Sequence, residues 1–160
     1  MKKIHLLILS LWFLMIQGCG GSPKPDGFPI IYDCSIILTQ EGKPLTGASI
    51  ILFSKDGHCP WSVGGTTDSN GKAVIFTHGR FWGAPTGDFL VTVSKTEAEP
   101  YEQGEIRTKP INIYTFVDKK FSDRSTTPLE ITIPKGKIQQ TFDLGPATRT
   151  LFESIPPNAP

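Results

Sequence analysis

The chain has 160 residues, with 16 basic and 15 acidic side chains and a formal net charge of +1. A near-neutral chain with scattered charges makes no electrostatic case for a nucleic-acid partner. Gly (16) and Pro (14) are frequent, β-branched residues come in short runs, and no stretch keeps a long helical period of apolar residues; this excludes a helical bundle and points to an all-β body.

From the N-terminus, Lys2 and Lys3 give a positive start, and Ile4 to Ile16 is apolar apart from His5 and Ser10. The apolar run is too short to span a bilayer comfortably and leads to the small Gly18, the pattern of a secretory signal. The Gly18-Cys19 junction resembles a bacterial lipoprotein signal, in which the Cys takes a diacylglyceryl group and becomes the mature N-terminus. Ile16 and Gln17 stand where such signals usually carry Leu and a small residue; an ordinary signal peptide cut elsewhere and an uncleaved anchor are the alternatives. The resemblance implies residues 1–18 as signal peptide and Cys19 as the lipidation site. It implies two or more acyl chains, which hold a protein on a membrane where one chain does not. The expected location is therefore the cell envelope, lipid-anchored at the outer membrane or on the periplasmic face. Gly20, where Asp would resemble an inner-membrane retention signal, favours the outer membrane.

Residues 19–31 (CGGSPKPDGFPII) read as a flexible tether, because their Gly and Pro do not settle into an element. A single β-sandwich domain is expected over residues 32–144, followed by a tail over 145–160 that is loose unless Leu151, Phe152 and Ile155 dock on the domain. Eight short strands are predicted. The first is Asp33–Thr39, with Cys34, Ile36 and Leu38 on one face. The second is Ala48–Ser54, where the run Ile50–Phe53 predicts cover on both faces. Ser62–Thr67 and Lys72–Thr77 follow, joined by Asp68-Ser69-Asn70-Gly71, a strong hairpin signal. Asp88–Lys95 alternates, with Phe89, Val91 and Val93 inward. Ile111–Val117 is the sixth. Leu129–Ile133 and Ile138–Leu144 are predicted to pair as one hairpin across Pro134-Lys135-Gly136-Lys137. The polar stretch Thr96–Pro110, with Glu97, Glu99, Glu102 and Glu105, reads as a solvated excursion between strands.

Three segments together carry a family likeness: Glu41-Gly42-Lys43-Pro44-Leu45-Thr46-Gly47-Ala48, then Gly65-Thr66-Thr67-Asp68-Ser69-Asn70-Gly71-Lys72, then Gly83-Ala84-Pro85-Thr86-Gly87-Asp88-Phe89-Leu90-Val91-Thr92-Val93-Ser94-Lys95. The closing stretch from Lys120 to Leu144 fits the same group. This resembles the carboxypeptidase regulatory-like, or transthyretin-like, β-sandwich of small bacterial surface lipoproteins, over about residues 33–144. The likeness implies an Ig-like or transthyretin-like antiparallel sandwich of seven to eight strands. It implies no activity, since each matching motif is turn chemistry.

Little else in the chain points to catalysis. Beyond the signal only His58 and His78 are imidazole bases, there is no Gly-x-Ser-x-Gly, and no carboxylate pair stands out. Transthyretin-like hydrolases carry Tyr-Arg-Gly-Ser near the C-terminus, whereas this chain ends Ile-Pro-Pro-Asn-Ala-Pro. His58-Cys59 are adjacent rather than spaced as a chelating pair, and Asp68-Ser69-Asn70-Gly71 lacks the later Glu of a Ca loop, so neither metal nor cofactor is expected. Cys34 and Cys59 are the candidate disulfide pair of an exported chain; two buried free thiols, or a reactive thiol, are the alternatives. Trp61, Arg80, Phe81 and Trp82 form the candidate ligand-binding patch, against the alternative that the aromatics cap the sandwich core. The expectation is a non-catalytic structural or protein-interaction module that meets the membrane through its lipid and an envelope protein as partner. A carbohydrate- or peptide-binding module, with a glycan as partner, is the second expectation.

Overall fold

Runs of Ile, Val, Phe and Thr punctuated by Gly, Pro and Asp become strands, because branched and aromatic side chains pack well on a half-buried pleat. The computed structural model describes residues 23–100 and 110–156. Strands account for 50 % of the residues and helix for 3 %, so the fold is all-β and sandwich-like. In chain order the elements are β1 (Ile31–Tyr32), β2 (Cys34–Gln40), β3 (Lys43–Pro44), β4 (Ser49–Ser54), β5 (Val63–Thr66), β6 (Lys72–Val74), β7 (Phe76–Thr77) and β8 (Phe81–Trp82). Then come β9 (Ala84–Pro85), β10 (Gly87–Ser94), β11 (Thr96–Ala98), β12 (Ile111–Thr115), α1 (Lys119–Ser122), β13 (Glu130–Ile133), β14 (Ile138–Asp143) and β15 (Thr150–Ile155). Among the described residues no helix is long and apolar enough to cross a membrane.

Two main sheets enclose the core. One has six strands in the order β13-β10-β4-β5-β7-β8, all antiparallel. The other is built on β2, which pairs β14 on one side and, at successive stretches, β6 and β3 on the other. Cys34, Ile36 and Leu38 of β2 are buried in one cluster with Ile50, Leu52, Phe89, Val91, Val93, Ile131 and Ile133 of the facing sheet. Each fully buried aliphatic or Phe side chain contributes about 1.5–3 kcal/mol, so this cluster dominates stability. β1 and β9 form a two-stranded ribbon, and β11-β12-β15 form a third sheet whose outer strands bury almost nothing.

All eight predicted strand positions hold strands, but three predicted relations do not form. β13 and β14 do not pair as a hairpin. β13 runs beside β10 with Ile133 opposite Gly87, whereas β14 runs parallel to β2 with Ile138 opposite Cys34. Pro134–Lys137 is therefore an arch that carries the chain from one sheet to the other, and both strands still send their apolar faces inward. The Asn70-Gly71 turn is likewise an arch, from β5 in the six-stranded sheet to β6 beside β2. A two-residue type I′ hairpin needs positive φ at both central residues; here only Gly71 has it (φ 71), and Asn70 does not. The Asp68 carboxylate instead accepts the N–H groups of Asn70 (2.8 Å) and Lys72 (2.9 Å). Gly71 is fixed by a neighbour as well, since a Cβ there would lie 2.4 Å from the Leu38 carbonyl oxygen. The third correction concerns β4. Its inner face is buried, but Ile51 on the outer face is 45 % exposed; Phe53 is half-buried, with the Arg124 guanidinium 5.5 Å from its ring.

The stretches set aside as tether and tail contain structure. Phe28 packs on the sandwich, and Thr150–Ile155 becomes β15 on the edge of the third sheet. Cys19, Glu102 and Glu105 lie outside the described residues, as does Tyr101.

Candidate functional site

The four residues of the predicted patch do not act as one. Trp61, in the loop after β4, and Phe81, on β8, meet through Phe28: its ring centroid is 5.3 Å from Trp61 and 4.6 Å from Phe81. His78 meets the Trp61 ring edge-on at 5.3 Å. The chain turns sharply at His78 (φ 57) between β7 and β8, and the His78 N–H donates to the Ser62 carbonyl at 2.7 Å. These aromatics cap one end of the sandwich, and tilted or edge-to-face aromatic pairs add about 0.5–1.5 kcal/mol beyond the area they bury. Arg80 sits exposed in the same turn, its N–H directed at the Thr77 carbonyl.

Trp82 leaves that cap. It is 73 % exposed on the outermost strand of the six-stranded sheet and rests edge-on against Phe76, 6.3 Å away. It borders a groove of about 240 Å³ that also takes in Cys34, Val74, Lys72, Lys137 and Ile138. A second hollow, of about 570 Å³, lies at the other side of the aromatic cap, where Trp61, His58 and Cys59 meet Tyr32 and Lys135.

Cys34 and Cys59 are both free thiols. They border different hollows: Cys34 is buried on β2, while the Cys59 thiol faces the Trp61 carbonyl oxygen at 3.6 Å. Burial pushes the Cys34 thiol up to about 11, so it stays protonated and unreactive at neutral pH. Among the described residues no group of three or more His, Cys, Asp or Glu side chains converges as metal ligands would. His58 and His78 do not share a site: His58 is paired with the Asp56 carboxylate (3.3 Å), and His78 packs edge-on against Trp61.

The third sheet was not legible as a site. One face carries an ordered polar network in which the Tyr114 hydroxyl donates to Glu99 Oε1 (2.9 Å), Asn112 Nδ2 donates to Glu99 Oε2 (3.0 Å) and the Arg149 guanidinium lies 4.1 Å from the Tyr114 ring. The Glu99 hydrogen bond, more than anything else, raises the Tyr114 pKa above its usual value. β15 is antiparallel to β12 and carries one extra residue, Phe152, between Leu151 and Glu153. Leu151 is 54 % and Phe152 65 % exposed, and among the described residues no strand pairs with the far edge of β15. From sequence, Leu151 and Phe152 were visible only as apolar residues in a tail; the strand that presents them depends on pairing with β12, about forty residues away in the chain.

No family model, curated protein or solved structure matches this chain.

Proposed function

We propose that the chain is a lipid-anchored protein of the cell envelope whose β-sandwich is a non-catalytic protein-interaction module, and that the third sheet is its contact surface. The observation that carries this reading is β15: six residues long, paired on one side only among the described residues, and bearing exposed Leu151 and Phe152. A strand edge of this kind presents a row of unpaired N–H and C=O groups to which a partner strand adds, with side-chain contacts supplying selectivity. Edges that have no partner are usually blunted by Pro, charged side chains, bulges or very short length; β15 carries Glu153 and the bulge at Phe152 but has no Pro or Lys, and its six residues are long enough to pair. The anchor at Cys19 and the carboxypeptidase regulatory-like identity rest on the sequence motifs.

A photo-crosslinking residue placed at Leu151 in the native host tests the reading. One discrete protein adduct is expected, absent when the same residue replaces Val74, which is exposed on β6. No adduct, or equal adducts at both positions, removes it.

A second reading, a carbohydrate- or peptide-binding module, is supported by Trp82, whose exposed ring beside a groove flanked by Lys72 and Lys137 offers a stacking surface. Glycan-array binding lost on Trp82→Ala would support it, and binding unchanged by that substitution would remove Trp82 from it.

A further inference from the structure

The third sheet has a second face. The register places Thr96 of β11 opposite Thr115 of β12, and Thr115 opposite Thr150 of β15. Directly opposed residues point to the same side of a sheet, so three threonines form a row across all three strands. This row lies along a groove of about 570 Å³, completed by Ser94, Thr148, Ser122 and Val117, with the bulged Phe152 at one wall. The volume is within the roughly 300–1,000 Å³ of ordinary small-molecule sites.

Three observations set the groove apart. The hydroxyls of Ser94, Thr96 and Thr150 have no hydrogen-bond partner among the described residues, whereas Thr115 donates to the Val117 carbonyl (3.2 Å) and Ser122 to the Lys119 carbonyl (2.9 Å). Thr148 Oγ1 is shut away from solvent with no hydrogen-bond partner among the described residues. Buried polar atoms are normally satisfied, and an exception calls for an explanation. A threonine χ1 rotation of about 120° exchanges hydroxyl and methyl, so an acceptor or donor seated in the groove would satisfy this atom. Finally, the extra residue of the β15 bulge is Phe152, and bulges of this kind re-aim side chains beside binding sites.

We infer that this groove binds a neutral saccharide, its ring hydroxyls meeting the threonine and serine hydroxyls and its C–H face resting on Phe152. The inference shares the ligand class of the second reading above but not its site. A hydroxyl both donates and accepts, as do the ring hydroxyls of a sugar, so the match needs no charge. The two charged residues at the groove do not redirect it toward an ion. Asp118 accepts the Lys120 N–H as the cap of α1, and Lys119, which also borders the groove, acts on the Asp123 carboxylate.

The test is saturation-transfer NMR on the full chain in detergent, with a panel of neutral mono- and disaccharides, a uronic acid and a hydroxyl-free cyclohexane carrier as probes. Transfer to ring protons of at least one neutral sugar is expected, with none to the carrier and no preference for the uronic acid. Phe152→Ala and Thr150→Val, both at exposed positions, are each expected to weaken that sugar at least tenfold, and Ile51→Ala, on the outer face of β4, to leave it unchanged. Thr148→Val should raise the melting temperature of the free chain while weakening the sugar. Absence of transfer to every neutral sugar would overturn the inference together with the carbohydrate reading. Binding that survives Phe152→Ala and Thr150→Val but is lost in Trp82→Ala would overturn the inference and leave that reading standing.

Discussion

Replacing Thr67 by Val deletes one oxygen atom at the point where the two main sheets are tied together. Thr67 is buried at the end of β5, where its Oγ1 donates to the Leu45 carbonyl (2.6 Å) and accepts the Ala48 N–H (2.8 Å). Both partners belong to buried residues of the turn between β3 and β4. Val keeps the volume and the branching at Cβ, so packing is preserved and the loss is purely polar. Two buried backbone groups lose their partner, at about 1–3 kcal/mol each, which gives roughly 3 kcal/mol in total. The backbone bonds from Gly47 N–H to the Thr67 carbonyl (3.0 Å) and from Thr67 N–H to the Ala48 carbonyl (2.9 Å) survive and keep the figure from rising further. For a domain of this size the loss corresponds to roughly 10 °C in melting temperature. Guanidinium unfolding followed by tryptophan fluorescence measures it. Thr67→Ser, which retains Oγ1, should recover most of the stability. A Thr67→Val protein within about 0.5 kcal/mol of the parent would refute the assignment of this hydroxyl as a tie.

The Cys34 thiol, held at about 11 by burial against an ordinary 9.0, should resist N-ethylmaleimide at neutral pH until the protein unfolds. Between pH 9 and 11 the unfolded chain releases this proton while the folded chain keeps it, so stability present below pH 9 is lost as pH rises through 11. The loss is at most about 3 kcal/mol, and Cys34→Ala should remove that share of the alkaline slope when both proteins are unfolded in denaturant across the range. At the acid end, Asp143 accepts the Thr39 hydroxyl (2.7 Å) and the N–H groups of Gly145 (2.8 Å) and Gly42 (3.1 Å), which hold its carboxyl below the usual carboxylate range. Its contribution is present above the ordinary carboxylate pKa and lost as pH falls through the depressed one; Asp143→Asn should therefore flatten the acid limb of a melting-temperature profile.

Strand positions were legible because they depend on local chemistry. Cys34, Ile36 and Leu38 alternate along β2, as Phe89, Val91 and Val93 do along β10, and both sets are buried. Partnership was not legible. Asn70-Gly71 and Pro134–Lys137 satisfy the same local rules whether the following strand lies beside the preceding one or in the opposite sheet, and only global packing decides. The aromatic patch divided for a similar reason. Phe81 and Trp82 are neighbours on an extended strand, so their side chains point to opposite faces, one into the cap with Phe28 and the other out to the groove with Lys72 and Lys137. The threonine row had no sequence signal, because Thr96, Thr115 and Thr150 become neighbours only after β11, β12 and β15 take up their register.

The functional reading depends on where this body is held, and mass spectrometry of the native chain recovered from host membranes addresses that directly. The account predicts an N-terminal peptide that begins at Cys19 and carries a diacylglyceryl group on its sulfur. A chain recovered from the medium with an unmodified thiol at Cys19 would contradict it.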